Sequence, residues 1–186
     1  MSDLTISEKK ELLKLARETI INYMANKKHP EYTNLNEKFN ENRGVFVTLH
    51  LDGNLRGCIG HPLPVVPLYK SVIENAISSA FEDPRFNSLS EDEVDKIDIE
   101  ISVLSIPEEM NSYKDVKVGR DGIIISRGFN RGLLLPQVPV EQGWDLEEYI
   151  SYGCLKAGMD QDQWRKSVKI ETFQADVFGE KDLKSE

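Results

Sequence analysis

What is scarce in this 186-residue sequence narrows the field first. Two cysteines, Cys58 and Cys154, are too few for a disulfide framework. Cys58 and His61 have a two-residue spacing, but no second pair of cysteine or histidine ligands follows, so neither a metal nor a cofactor is expected. Lysine and arginine number 23 against 32 acidic residues, a formal charge of −9, and no basic block stands out. That balance argues against nucleic acid as a partner. The basic spot Asn26 to His29 reads as a solvated helix end. The longest aliphatic runs are triplets, Ile123 to Ile125 and Leu133 to Leu135, far from the ~18 to 20 residues of a membrane span. The opening residues carry no apolar signal core. The expectation is a soluble cytoplasmic protein that touches no membrane and can bury a core without staples.

What is present is a mixture of two periodicities. Leu12, Leu13, Ala16, Ile20 and Met24 recur at helical spacing over residues 8–26, with Thr5 and Glu8 as a capping box. The polar stretch from His29 to Gly44 reads as a long surface connection. "VFVTLHLDGNLRGCIG" alternates on both sides of Asp52-Gly53-Asn54, as a β-hairpin does. Val72, Ile73, Ala76, Ile77, Ala80 and Phe81 predict a helix over 68–82 whose polar face meets solvent. Ser90 and Glu93 box a short helix, and Ile97, Ile99, Ile101 and Val103 form one face of a strand. "VKVGRDGIIIS" and "RGFNRGLLLPQV" predict further strands, the latter ended by Pro136 and Pro139. Asp145 caps a helix that stops at Gly158. A short helix in "DQDQWRKS" and a final strand in "VKIETFQADVF" complete the chain. Without a regular βαβ alternation, the class is α+β with a mainly antiparallel sheet flanked by helices.

The hairpin register decides what Cys58 sees. A two-residue Asp-Gly turn would set Val47 opposite Cys58. A three-residue Asp52-Gly53-Asn54 loop sets Thr48 opposite Cys58 and His50 opposite Arg56, and gathers Val47, Leu49, Leu51, Leu55 and Ile59 on one apolar face. The register that segregates polar from apolar is favoured, since a one-residue slip moves every side chain to the other face. The second face then holds Phe46, Thr48, His50, Arg56 and Cys58, with Gly57 and Gly60 allowing close backbone approach. A thiol beside an arginine suits a reactive thiolate. The alternative is a small buried cysteine, with Arg56 paired to a surface carboxylate. "LLLPQVPVEQGWD" carries two readings as well. One is a loop bringing Gln137, Glu141 and Asp145 to the rim of a cleft, with Glu141, ahead of Glu100, as counter-charge for Arg56. The other is a strand end followed by a helix cap, with Trp144 packing the connection.

At "LRGCIG" the sequence resembles the AMMECR domain family. "GVFVTLHLDGNLRGCIG", "AFEDPRF", "DIEISVLS", "GRDGIIIS" and "RGLLLPQVPVEQGWD" follow in that family's order, from about residue 8 to residue 178. The resemblance implies one α+β domain spanning 1–186 with a larger and a smaller lobe. Its hallmark segments map to Leu55 to Gly60, to Asp83 with Arg85 and Phe86, and to Pro136 to Asp145. It assigns no reaction. It also implies association with Memo-type proteins and radical SAM proteins, as one component of a modification or redox system. His50 and His61 lie outside the hallmarks.

Two functional readings stand from the sequence. In one, the protein is a binding module that docks a Memo-type partner through the face around "LRGCIG". In the other, it is a cysteine-dependent enzyme with Cys58, Arg56 and Glu141 as catalytic groups and Thr48, His50, Gly57, Gly60, Arg85, Gln137 and Asp145 as binding residues.

Overall fold

The computed structural model describes residues 4–29, 31–32 and 35–183. In chain order the elements are α1 (Ile6–Asn26), β1 (Val45–Leu51), β2 (Asn54–His61), α2 (Leu68–Phe81), α3 (Glu91–Val94), β3 (Ile97–Leu104), β4 (Glu108–Glu109), β5 (Gly122–Arg127), β6 (Asn130–Leu134), α4 (Val138–Gln142), α5 (Leu146–Lys156), β7 (Lys169–Phe173), β8 (Ala175–Gly179) and α6 (Glu180–Leu183). The strands divide between two four-stranded sheets, ordered β2-β1-β3-β8 and β4-β7-β5-β6. The class is α+β, with two sheets where the alternation alone had suggested one. The chain falls into two compact units, the larger comprising residues up to Leu104 and from Asp176 onward, the smaller Ser105–Ala175.

In the larger unit, α1 begins at Thr5, whose hydroxyl accepts the Glu8 N–H while the Glu8 carboxylate accepts the Thr5 N–H. Both orphan donors are satisfied before the first turn closes. Leu12, Leu13, Ala16 and Ile20 turn inward and meet Val72, Ala76 and Ile77 of α2. Both helices cover one face of the sheet, where Val45, Val47, Leu49, Ile97, Ile99, Ile101 and Val103 are buried. The alternate residues of the same strands face the other way. Arg17 fastens the chain's return, donating to Glu180 and to the carbonyls of Val94 and Ile97. The segment expected as a surface connection lies partly outside the described residues. Within the described part, Glu37–Asn40 makes a 3-10 turn that buries Phe39 completely.

In the smaller unit, α5 packs Tyr149, Ile150 and Cys154 against Ile123, Ile125 and Ile170 of the sheet. The Tyr149 hydroxyl donates to the Asp121 carbonyl at 3.0 Å, which satisfies it inside the core. Two expectations change here. "VKIETFQADVF" is two strands, β7 and β8, interrupted at Gln174. "VPVEQ" is the short helix α4, so Glu141 stands on a helix where a loop was expected.

Candidate functional site

The hairpin is built from a two-residue turn and a bulge. Asp52 and Gly53 both adopt positive φ, 51° and 80°, which is the backbone of a type I′ turn. Leu51 pairs with Asn54 and His50 with Leu55, but Leu49 pairs with Gly57, so Arg56 is an extra residue opposite no partner. The bulge restores the expected register beyond it: Thr48 faces Cys58 and Val47 faces Ile59. It also corrects two expectations. His50 lies opposite Leu55, not Arg56, and Leu55 leaves the apolar face and stands 42% exposed.

Three cross-strand rows follow on the side of the sheet away from α1 and α2. Cys58, Thr48 and Glu100 form one, Leu55, His50 and Asp98 the next, and Gly60, Phe46 and Ser102 the third. Phe46, Thr48, His50, Cys58, Asp98, Glu100 and Ser102 are all half-buried. The Thr48 hydroxyl donates to the Cys58 thiol at 3.3 Å. A Cβ on Gly60 would overlap the Phe46 ring, so only glycine lets that aromatic lie across the strand.

The outer edge of β2 is closed by residues from beyond α2. Asp83, with its side chain 1% exposed, accepts the Cys58 N–H at 2.9 Å, the Arg85 N–H at 3.1 Å and the Arg85 guanidinium at 2.7 and 3.0 Å. Arg85 in turn donates to the Cys58 carbonyl at 3.0 Å. The Arg85 guanidinium holds the Asp83 carboxyl well below the usual carboxylate range, although burial opposes this. Asp83 first, and Cys58 after it, favour the charged form of Arg85. Both polar backbone groups of Cys58 are therefore occupied by side chains, and this part of the edge offers no ladder to an incoming strand.

Arg56 has a different partner from the one the sequence suggested. Glu93 of α3 takes both its Nε and its Nη2 at 2.9 Å, where Glu141 and then Glu100 had been expected. This fork and the Ser90 N–H lower the Glu93 carboxyl to about 2, and Glu93 raises Arg56 in return. The cation engaged with Cys58 is Arg85. Phe86 lies between the two arginines, its ring 6.0 Å from the Arg56 guanidinium and 5.4 Å from that of Arg85.

Sequence reasoning missed the inner support of this hairpin. Ser71, Asn75 and Ser79 recur at four-residue spacing on α2 and are buried against the strands, whereas the helix's polar face had been assigned to solvent. The Ser79 hydroxyl donates to the Val47 carbonyl at 2.7 Å and accepts the Ile59 N–H at 2.9 Å. Asn75 donates to the Val45 carbonyl at 3.2 Å. A Cβ at Gly57 would overlap the Ser79 carbonyl oxygen, so helix and strand meet at backbone distance. The small polar stripe at helical spacing was the available signal.

The remaining candidates belong to the smaller unit. Gln137 and Glu141 are exposed at and within α4. Asp145 accepts the Glu148 N–H and caps α5 in a reciprocal box, the structural alternative for that residue. Trp144 stacks on Tyr152 at 3.9 Å. Cys58 and Cys154 are both free thiols, and burial pushes the Cys154 thiol up. Among the described residues, no three His, Cys, Asp or Glu side chains gather at metal-ligating distance. No helix among them is long and apolar enough to cross a membrane.

A sequence model of AMMECR1 matches residues 13–178. The chain belongs to the AMMECR1 family. Protein MJ0810 of Methanocaldococcus jannaschii is 48% identical over 98% of this chain and 95% of its own length. Protein MK0488 of Methanopyrus kandleri is 44% identical over 96% of this chain and 91% of its own. The crystal structure of the uncharacterized protein PH0010 from Pyrococcus horikoshii superposes with a TM-score of 0.76 at 41% identity, covering 94% of this chain and 92% of that one. At that identity and coverage the AMMECR1 relatives share the α+β fold, and none of their names states a reaction.

Proposed function

We propose that this AMMECR1 chain is a single two-unit cytoplasmic domain acting as a binding module for a Memo-type protein, within a modification or redox system that includes a radical SAM protein. The resemblance of its hallmark segments supplies the partner class. The observation that carries the reading is the occupancy of the charges around "LRGCIG". Arg56 is forked onto Glu93 and Arg85 onto Asp83 and the Cys58 carbonyl, so both cations build the surface. Beside the edge they brace lies a half-buried sheet face of Thr48, His50, Cys58 and Glu100, whose mixed polarity suits protein contact. Calorimetry with the purified Memo-type protein of the same source tests it. Binding that weakens at least about tenfold in His50→Ala or Thr48→Ala is expected. No binding at a protein concentration of about 0.1 mM, which corresponds to roughly 5.5 kcal/mol, would refute it.

One observation favours a second reading, a cysteine-dependent enzyme. The Cys58 sulfur receives a hydroxyl hydrogen bond from Thr48, and Arg85 donates to the backbone carbonyl of the same residue. A sulfur nucleophile there has the Thr48 hydroxyl as a donor and could add to a carbonyl carbon, the carbonyl π electrons passing to its oxygen. Cys58→Ser separates the two: it abolishes a covalent substrate adduct under the enzyme reading and leaves partner affinity nearly intact under the binding reading.

A further inference from the structure

The helix α5 is buried on one side and exposes two large apolar side chains on the other. Tyr149, Ile150, Gly153 and Cys154 are buried on its inner side. Tyr152 and Leu155, three residues apart on the opposite side, are 43% and 48% exposed. The outer pole of a helix packed on one sheet is ordinarily polar. Here it carries an aromatic stack instead, since Trp144 lies against Tyr152 at 3.9 Å with the rings 5° from parallel. Trp144 is partly buried against the core and carries the exposed Tyr152 on its face, and both are residue types that dominate interface energetics.

The rim of this face has one dominant sign. Asp145, Glu147, Glu148 and Asp162 border Tyr152 and Leu155, and Arg165 is the cation among them. Arg165 is already engaged by Glu147 at 2.8 Å and by Asp162 at 3.4 Å, and its guanidinium sits 4.3 Å from the Trp164 ring. With Lys156, one turn from Tyr152 on α5, the cations number two against four carboxylates, so the surplus charge around the apolar floor is negative. A second copy of a chain with net charge −9 would bring like charge to this rim.

We propose that the outer face of α5, with Trp144, Tyr152 and Leu155 as anchors, is a docking surface for a basic amphipathic segment of another protein. Apolar side chains of that segment cover Tyr152 and Leu155, and its lysines or arginines meet the carboxylate rim. The surface belongs to the smaller unit and the sheet face around Cys58 to the larger, and the two readings stand or fall independently.

The test is fluorescence anisotropy of a labelled synthetic peptide with Leu and Lys at helical spacing, titrated with the full chain at low and high salt. The Leu–Lys peptide binds, its affinity falls with salt, and a Leu–Glu peptide of the same spacing does not bind. Leu155→Gln, which changes no charge, weakens binding by about tenfold or more. Val65→Gln, at another exposed apolar position, leaves it unchanged. Equal binding of the two peptides, or equal binding by wild type and Leu155→Gln, overturns the proposal. So does a sedimenting dimer that Leu155→Gln dissociates, because the occupant would then be a second copy.

Discussion

Replacing Asp83 by alanine removes the one side chain that binds both the Cys58 N–H and Arg85. The carboxylate accepts four hydrogen bonds and is almost completely enclosed. Arg85 is 52% exposed, so water can resolvate it and the ion pair itself is discounted to well under 1 kcal/mol. The larger loss comes from the two backbone N–H groups, which hydrogen-bond to a charged acceptor at about 1.5 to 3 kcal/mol apiece before partial rehydration. A total of about 2 to 4 kcal/mol is expected for Asp83→Ala. For a chain of this length that lowers Tm by roughly 4 to 16 °C in a reversible thermal melt. Asp83→Asn keeps one acceptor and falls in between. The sign of the pH dependence follows from the depressed folded-state value of Asp83. Its contribution is complete above the unfolded carboxylate value near 3.9 and disappears as pH falls towards the folded one. The gap between wild type and Asp83→Asn is therefore flat from about pH 8 to 5 and narrows below about pH 4. Amide exchange at Cys58 should accelerate in Asp83→Ala beyond the change in global stability. A loss below about 0.5 kcal/mol, the range of an ordinary surface substitution, would refute the assignment of Asp83 as the latch of β2.

Gly57→Ala, which drives a methyl into the Ser79 carbonyl, should cost at least about 3 kcal/mol in urea unfolding; a loss under about 1 kcal/mol would show that α2 and β2 part easily. Ser79→Ala removes the hydroxyl bridging Val47 and Ile59 and should cost about 1 to 3 kcal/mol, whereas Ser78→Ala, which loses only a solvent-accessible hydrogen bond to Glu82, should cost less than about 1 kcal/mol. Glu93→Gln should weaken the protein at neutral pH and converge with wild type as acid titrates the Glu93 carboxyl through about 2; parallel acid curves would remove Glu93 as the partner of Arg56. Iodoacetamide on the native protein should modify Cys58, which is half-buried, and spare Cys154, which is enclosed, so mass spectrometry finds one adduct before denaturation and two after.

The fold class was legible because the two periodicities are clean. Leu12 to Met24 repeat at helical spacing, Ile97 to Val103 alternate, and three capping boxes, at Thr5, Ser90 and Asp145, punctuate helices where the sequence placed them. The division into two sheets was not legible, because alternation within a strand reports which face is buried and says nothing about which strands lie beside it. "VKIETFQADVF" shows the limit. One alternating run serves β7 in one sheet and β8 in the other, and the break falls at Gln174, a residue with no turn signature.

The hairpin exposes a different limit, since the expected pairing of Thr48 with Cys58 came from a loop the protein does not have. Segregation of polar from apolar constrains only the total offset between strands, and two routes supply the same offset. A three-residue loop shifts every pair. A two-residue turn followed by a bulge shifts only the pairs beyond the bulge, leaving Leu55 with His50 on one side of it and Gly57 with Leu49 on the other. The difference falls on Arg56. On the ladder it would stand beside His50 and Cys58. As the bulged residue it faces no partner on β1, and its guanidinium reaches the Glu93 carboxylate at the start of α3. Its pairing with Glu93, where Glu141 had been expected, follows from that single extra residue. Arg85, held in place by Asp83 two positions before it, reaches the Cys58 backbone carbonyl across 27 residues of sequence, a contact that no local pattern encodes.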